Sequence, residues 1–208
     1  MTIIALVGNK GGAGKTTLCV NLASALNEIA PTVILDADPQ RSSLQWRALS
    51  DNADAVSVQD AVDDLETAIL GARRTFTNLV IDCPPSVHAE QTAQALESAE
   101  LALIPVQPSP LDLWATVHIE GRVETARRSN PDLHAVLVIN QLEPRTTLSK
   151  LMREALSELS VPAAATAIRR RMAFRTAVLE GRSVLDLGSR GRAAADEIRA
   201  LIKEVVNR

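Results

Sequence analysis

Tyrosine is missing from this 208-residue chain, and the other aromatics amount to Trp46, Phe76, Trp114 and Phe174. A core drawn from such a composition must be aliphatic. So few rings exclude a base-stacking platform, so any contact with nucleic acid would be mainly electrostatic. Cysteine occurs twice, at Cys19 and Cys83, and histidine three times, at His88, His118 and His134. Their scatter matches no metal-ligand spacing and fits ordinary packing and surface residues. No disulfide framework is indicated, which agrees with a reducing cytoplasm. No apolar run approaches the length of a membrane-spanning helix. The opening TIIALVG is too short for the apolar stretch and cleavage site of a signal peptide, and it runs straight into a Gly/Lys loop. A cytoplasmic protein is expected.

What is present is an ordinary globular mixture, 46% apolar and 23% charged. The length suits one α/β domain over 1–208, and the chain is expected to open directly on a strand with no added N-terminal DNA-reading domain. The net charge of −3 hides an asymmetry: residues 169–208 hold ten Arg/Lys against five acids, so the rest of the chain is strongly acidic. That tail could form a local anion-binding surface.

Apolar, β-branched runs alternate with helical patterns along the chain. Strands are expected at 2–8, 32–38, 55–58, 78–83, 101–107, 134–140 and 162–168. Helices are expected at 15–29, 41–50, 60–73, 88–98, 112–128, 147–159, 171–180 and 190–206. Strands without in/out alternation are buried on both faces. The fold class is therefore α/β: a doubly wound, mostly parallel sheet with helices on both faces. Ligands in such folds bind beyond the carboxyl ends of the strands.

Between the first strand and the first helix lies GNKGGAGKTT, residues 8–17. Its glycines let backbone N–H groups turn around a phosphate chain, and the following helix presents its positive end. Lys15 is placed to reach the β and γ phosphates, and the Thr16 hydroxyl to bind Mg²⁺. The usual G-x-x-x-x-G-K-[ST] pattern fails at its first position, which is Asn9. Two further strands end in acids: VILDADPQ offers Asp36 and Asp38, and LVIDCPP offers Asp82. Any one could be a helix cap. Together they suit a hydrated Mg²⁺ and the positioning of an attacking water.

KGGAGKTT, LDADPQ and LVIDCPP resemble the deviant Walker A, A′ and B motifs of the ParA/MinD superfamily of P-loop ATPases. The likeness extends to PVQPSPLDLWA (105–115), VINQ (138–141) and EGRSVLDL (180–187), and so covers nearly the whole chain. Within the superfamily the chain is most similar to the small ParA-type partition ATPases, ParF among them, and to McdA-type carboxysome-positioning ATPases.

The resemblance implies an Mg²⁺-dependent ATP hydrolase in which Asn9, Lys10, Gly11, Gly12, Ala13, Gly14, Lys15, Thr16, Thr17 and Asn140 bind nucleotide. Asn140 would lie near the adenine edge, with Gln141 beside it. Asp38 would position the attacking water, and Thr16, Asp36 and Asp82 would support the metal, the two aspartates through water. Lys10 matches the family's signature lysine, which crosses an ATP-sandwich homodimer to the partner's phosphates, like an arginine finger supplied in trans. The segments after Asp82 and around residues 108–112 would be switch and dimer-facing regions.

The implied work is DNA segregation or cargo positioning: an ATP dimer that binds nucleoid DNA non-specifically and moves a plasmid, a chromosome region or an organelle. A ParB-like or McdB-like adaptor would stimulate hydrolysis. DNA candidates are Arg169, Arg170, Arg171 and Arg175 near one helix start, and Arg192, Arg199 and Lys203 on one face of the last helix. Pairing with Asp196 along that helix would instead make the second group a solvated face.

Two other classes remain. A MinD-like membrane-surface ATPase would need a cationic, apolar tail helix, and DEIRALIKEVVNR carries acids and no large aromatics. No stable membrane association is expected. A metabolic P-loop enzyme, dethiobiotin-synthetase-like or cobyrinate-amidating, would need an organic-substrate pocket and, for amidation, a glutaminase domain that a chain of this length leaves no room for.

Overall fold

In the computed structural model of the chain, residues 2–144 and 147–206 are described. Six strands make one sheet: β1 (Thr2–Leu6), β2 (Thr32–Asp36), β3 (Ser57–Asp60), β4 (Asn78–Asp82), β5 (Leu101–Val106) and β6 (His134–Ile139). They lie in the order β3-β2-β4-β1-β5-β6, and every pairing is parallel. The helices are α1 (Lys15–Asn27), α2 (Ser42–Ala48), α3 (Leu65–Ala72), α4 (Glu90–Ser98), α5 (Pro110–Ala126), α6 (Thr147–Ser157), α7 (Met172–Leu179) and α8 (Arg192–Val205). A 3-10 segment, Val184–Arg190, precedes the last.

Strand side chains alternate between two aliphatic cores. Ile3, Ala5 and Val7 pack with Leu65 and Ile69 of α3, Leu96 of α4, Ile119 and Val123 of α5 and Leu156 of α6. Ile4 and Leu6 pack on the other face with Leu18 and Leu22 of α1, Trp46 of α2, Phe174 of α7, and Ile198, Leu201 and Ile202 of α8. Burial of each large aliphatic side chain stabilises the fold by about 1.5–3 kcal/mol. Trp46 is 3% exposed and donates its indole N–H to the Arg182 carbonyl at 3.1 Å, whereas Trp114 on α5 is 67% exposed.

The seventh expected strand does not join the sheet. Residues 162–169 run along the open edge of β6 and make only two isolated bridges, Leu137 with Ala163 and Leu142 with Arg169. Pro162 cannot donate to a ladder, and Ala163–Ala165 offer little side chain to pack on a pleated surface. Helix α3 starts later than expected, because β3 extends to Asp60 and Asp64 caps the helix by accepting from Thr67 N–H at 2.9 Å. Helix α5 starts earlier, with Pro110 in its first turn, a position that needs no N–H. Among the described residues, no helix is long and apolar enough to cross a membrane.

Candidate functional site

The register of the sheet decides where the polar residues meet. Leu6, Asp36 and Asp82 are paired across β1, β4 and β2, so the chain leaves β1 beside two carboxylates. Gly12 and Gly14 turn the loop with φ of 81° and 90°, and a Cβ at Gly14 would run into the Asn140 amide. Helix α1 begins there with no side-chain cap and no acid in its first turn. Its first N–H groups and positive dipole end are thus free for an anion.

Lys15 is 7% exposed and donates from Nζ to the Lys10 carbonyl at 3.2 Å. Burial lowers its pKa, while the nearby Asp82 and Asp38 carboxylates push it back up. Loop, helix start and strand ends enclose a cavity of about 590 Å³ that includes Gly11, Gly12, Gly14, Lys15, Thr16 and Asp38 in its lining.

The three aspartates differ. Asp36 is fully buried, and its oxygens accept from the N–H groups of Asp38 (3.2 Å) and Leu44 (2.9 Å); burial raises its pKa in spite of both bonds. Asp38 accepts from Gln40 N–H at 2.9 Å through one oxygen and lines the cavity. Asp82 is fully buried and pushed up to about 7 by desolvation, against the opposing effects of the Ser43 and Thr16 hydroxyls. Ser43 donates to its Oδ2 at 2.7 Å, while Oδ1 is buried with no hydrogen-bond partner. A buried carboxylate oxygen without a donor, next to a threonine hydroxyl at a helix start, is a fitting oxygen set for a hydrated Mg²⁺. Sequence reading missed Ser43; the signal was a serine in the first turn of the helix that follows LDADPQ.

Lys10 is 46% exposed and folds back within its own chain, with Nζ 3.2 Å from Oδ2 of the buried Asp112 at the start of α5. Asn9 accepts from Val87 N–H at 3.4 Å and so links the loop to the segment after β4. Asn140 donates to the Ala13 carbonyl at 2.8 Å and accepts from Gln141 N–H at 2.9 Å. It lines the cavity, yet its amide is engaged with the glycine loop.

Of the seven basic DNA candidates, the structure brings Arg169, Arg170, Arg171 and Arg175 to the wall of this same cavity. Glu197 of α8 holds Arg171 at 2.6 Å and Arg169 at 3.5 Å, and Glu143 holds Arg170 at 2.7 Å. Arg199 pairs with Glu28 at 3.1 Å, not with Asp196. Arg175, Arg192 and Lys203 are exposed and make no ion pair among the described residues. Arg208, counted in the basic tail, lies outside those residues.

A family model, the CobQ/CobB/MinD/ParA nucleotide binding domain, matches residues 4–184. The chain belongs to this family. Nucleotide binding is thus the family's common property, and the loop and strand-end acids stand where the fold presents them. The carboxysome distribution protein A of Halothiobacillus neapolitanus is 42% identical over 207 residues, covering 98% of this chain and 95% of that protein. Its namesake from Gloeobacter kilaueensis is 30% identical over 208 residues, covering 98% and 93%.

Among solved structures, cobyrinic acid a,c-diamide synthase of Mycobacterium smegmatis, bound to an ATP analogue and magnesium, superposes with a TM-score of 0.77. It shares 21% identity and is covered over 94% of its chain. At that identity the likeness is one of fold. In sequence the chain is more similar to the two carboxysome distribution proteins than to that synthase.

Proposed function

We propose that this ParA/MinD-family chain hydrolyses ATP as a sandwich homodimer and, in its ATP state, binds DNA non-specifically to position a cargo. By relationship to the 42% identical protein, the cargo class is a carboxysome or similar organelle. An adaptor protein would stimulate turnover. The observation that carries the reading is Lys10. It is a second lysine inside the glycine loop, exposed, and tethered by one ion pair that can be exchanged for a partner's phosphates.

In the reaction, a water oxygen forms a bond to the γ phosphorus as the bond to the β–γ bridging oxygen breaks, giving ADP and phosphate. The N–H groups at the start of α1 and the Lys15 ammonium bind the phosphates. Asp38 accepts a hydrogen bond from the attacking water and orients it. Lys10 from the second subunit opposes the charge that builds on the transferred group. Thr16, with Asp82 and Asp36 behind it, would hold Mg²⁺, which would neutralise phosphate charge when bound. The high pKa of Asp82 fits a carboxylate that ionises fully only beside a cation.

DNA binding is the part of this reading open to the most direct trial. Binding to a random-sequence duplex is measured with ATP, with ADP and without nucleotide, across a salt series. Binding with ATP alone that falls steeply with salt is expected, because Arg175, Arg192 and Lys203 would contact phosphates and dimerisation would double the patch. Absence of binding in every state at low salt would sink the DNA role and turn attention to a metabolic one.

A further inference from the structure

Three side-chain amides from two strand ends converge on two consecutive carbonyls of the glycine loop. Gln107, just past β5, donates to the Gly12 carbonyl at 2.5 Å. Gln141, just past β6, donates to the same oxygen at 3.3 Å. Asn140 donates to the next carbonyl, that of Ala13. Gln141 adopts φ of 55°, a left-handed conformation uncommon for a residue with a side chain, which costs on the order of 1 kcal/mol. Asn140 Oδ1 accepts from Gln141 N–H in that turn, so the geometry that turns the chain also holds the asparagine amide on the loop.

The two strand ends differ in what else they do. The segment after β5 grips the loop twice: Gln107 at Gly12, and Asp112 at the Lys10 ammonium.

A trans peptide points its C=O and N–H in opposite directions. Holding the Gly12 and Ala13 carbonyls therefore fixes the N–H groups of Ala13 and Gly14 to face away from the three amides. Neither N–H donates to any described residue. Two buried or half-buried donors with fixed direction and no acceptor, in the loop that lines the cavity, form an anion nest set before the anion arrives.

We propose that Gln107 and Gln141 are positioning residues for nucleotide binding, which orient the phosphate loop through its carbonyls and touch neither base nor sugar, although Gln141 also lines the cavity. The inference rests on the nucleotide-binding reading of the cavity. It differs from a base-recognition role for the segment after β6, in which Gln141 would act on adenine and Gln107 on nothing.

The test compares two ligands by calorimetry in excess magnesium: ATP, and tripolyphosphate, which offers the phosphate chain without base or ribose. In Gln107→Ala and in Gln141→Ala, affinity for both ligands should fall by the same factor, about three- to tenfold for each variant. The ligand-free melting temperature should be unchanged. Gln107→Glu keeps the size, removes the donor and sets a carboxylate against the Gly12 carbonyl; it should lose more than Gln107→Ala for both ligands.

A Gln141→Ala chain that loses ATP affinity alone would assign that residue to the base and overturn its place in the clamp. Unchanged affinity for both ligands in Gln107→Ala and Gln107→Glu would overturn the clamp while leaving nucleotide binding intact. A wild-type chain that binds neither ligand would remove the nucleotide reading, and the clamp with it.

Discussion

At the carboxyl ends of the strands, Asp36, Asp82 and Asp112 are buried among lysines, hydroxyls and backbone N–H groups. At the opposite end, Glu66, Glu97, Glu100 and Asp132 line an open hollow of about 440 Å³ with Arg73 beside them. All five of these side chains are exposed. The acids are similar in number and differ in solvation. Water stabilises the second group at no cost to the fold, while the first is tolerated only because specific partners surround it, and one of its oxygens lacks even that. Charge held out of water against its preference is the mark of the working end.

Replacing Lys15 should affect that end most. Lys15→Ala removes the buried ammonium, and ATP affinity should drop by about 100-fold or more, read by calorimetry. Asp38→Ala should keep ATP bound and the dimer assembled while turnover falls by roughly 100-fold, seen in phosphate release beside sedimentation. Ordinary turnover would return the water-positioning role to another group. Lys10→Ala should bind ATP within about threefold of wild type yet stay monomeric with ATP, since within its own chain the half-exposed ammonium pairs only with Asp112. A dimer in that variant would end the in-trans role.

Asp82→Asn gives a smaller effect of opposite sign. The native state holds the Asp82 proton to about pH 7, whereas an unfolded aspartate releases it near 3.8. Stability of the ligand-free chain should therefore fall as pH rises through that window. The asparagine should remove this dependence and stabilise the fold at pH 8 by about 1–3 kcal/mol, with little difference at pH 4. Equal melting at both pH values would contradict the account of that site. At the far end, Glu66→Gln and Glu97→Gln should change stability by less than about 0.5 kcal/mol and turnover not at all.

The sheet and the loop were legible because they follow strong local patterns. Runs such as LVIDC are long enough and apolar enough to fix a buried strand, and their terminal acids fix its working end. Residues 162–168 passed the same test and failed in three dimensions, since an alanine-rich run after proline meets the apolar criterion without the bulk that holds an edge strand. Gln107 carries no local signal of its own, and Ser43 carries only its place in the first turn of the helix after LDADPQ. Their roles come from β5 and α2 being brought beside the loop, a fact of topology. The arginines of 169–171 were identified as a cluster by sequence, but only the fold places them on the cavity wall, with Glu197 holding two of them.

The two tryptophans occupy opposite environments, and this gives the molecule a built-in optical readout. Trp46, enclosed in the core on the α1 side of the sheet, should emit at short wavelength and shift to the red only when the fold opens. Trp114 stands in water two residues beyond the aspartate that tethers Lys10, and should already emit in the red. A blue shift and loss of iodide quenching on adding ATP, with Trp46 silenced by Trp46→Phe, would report a surface closing over α5 as it happens. The wild-type chain then follows unfolding through Trp46 and the Trp46→Phe chain follows assembly through Trp114, each without a label.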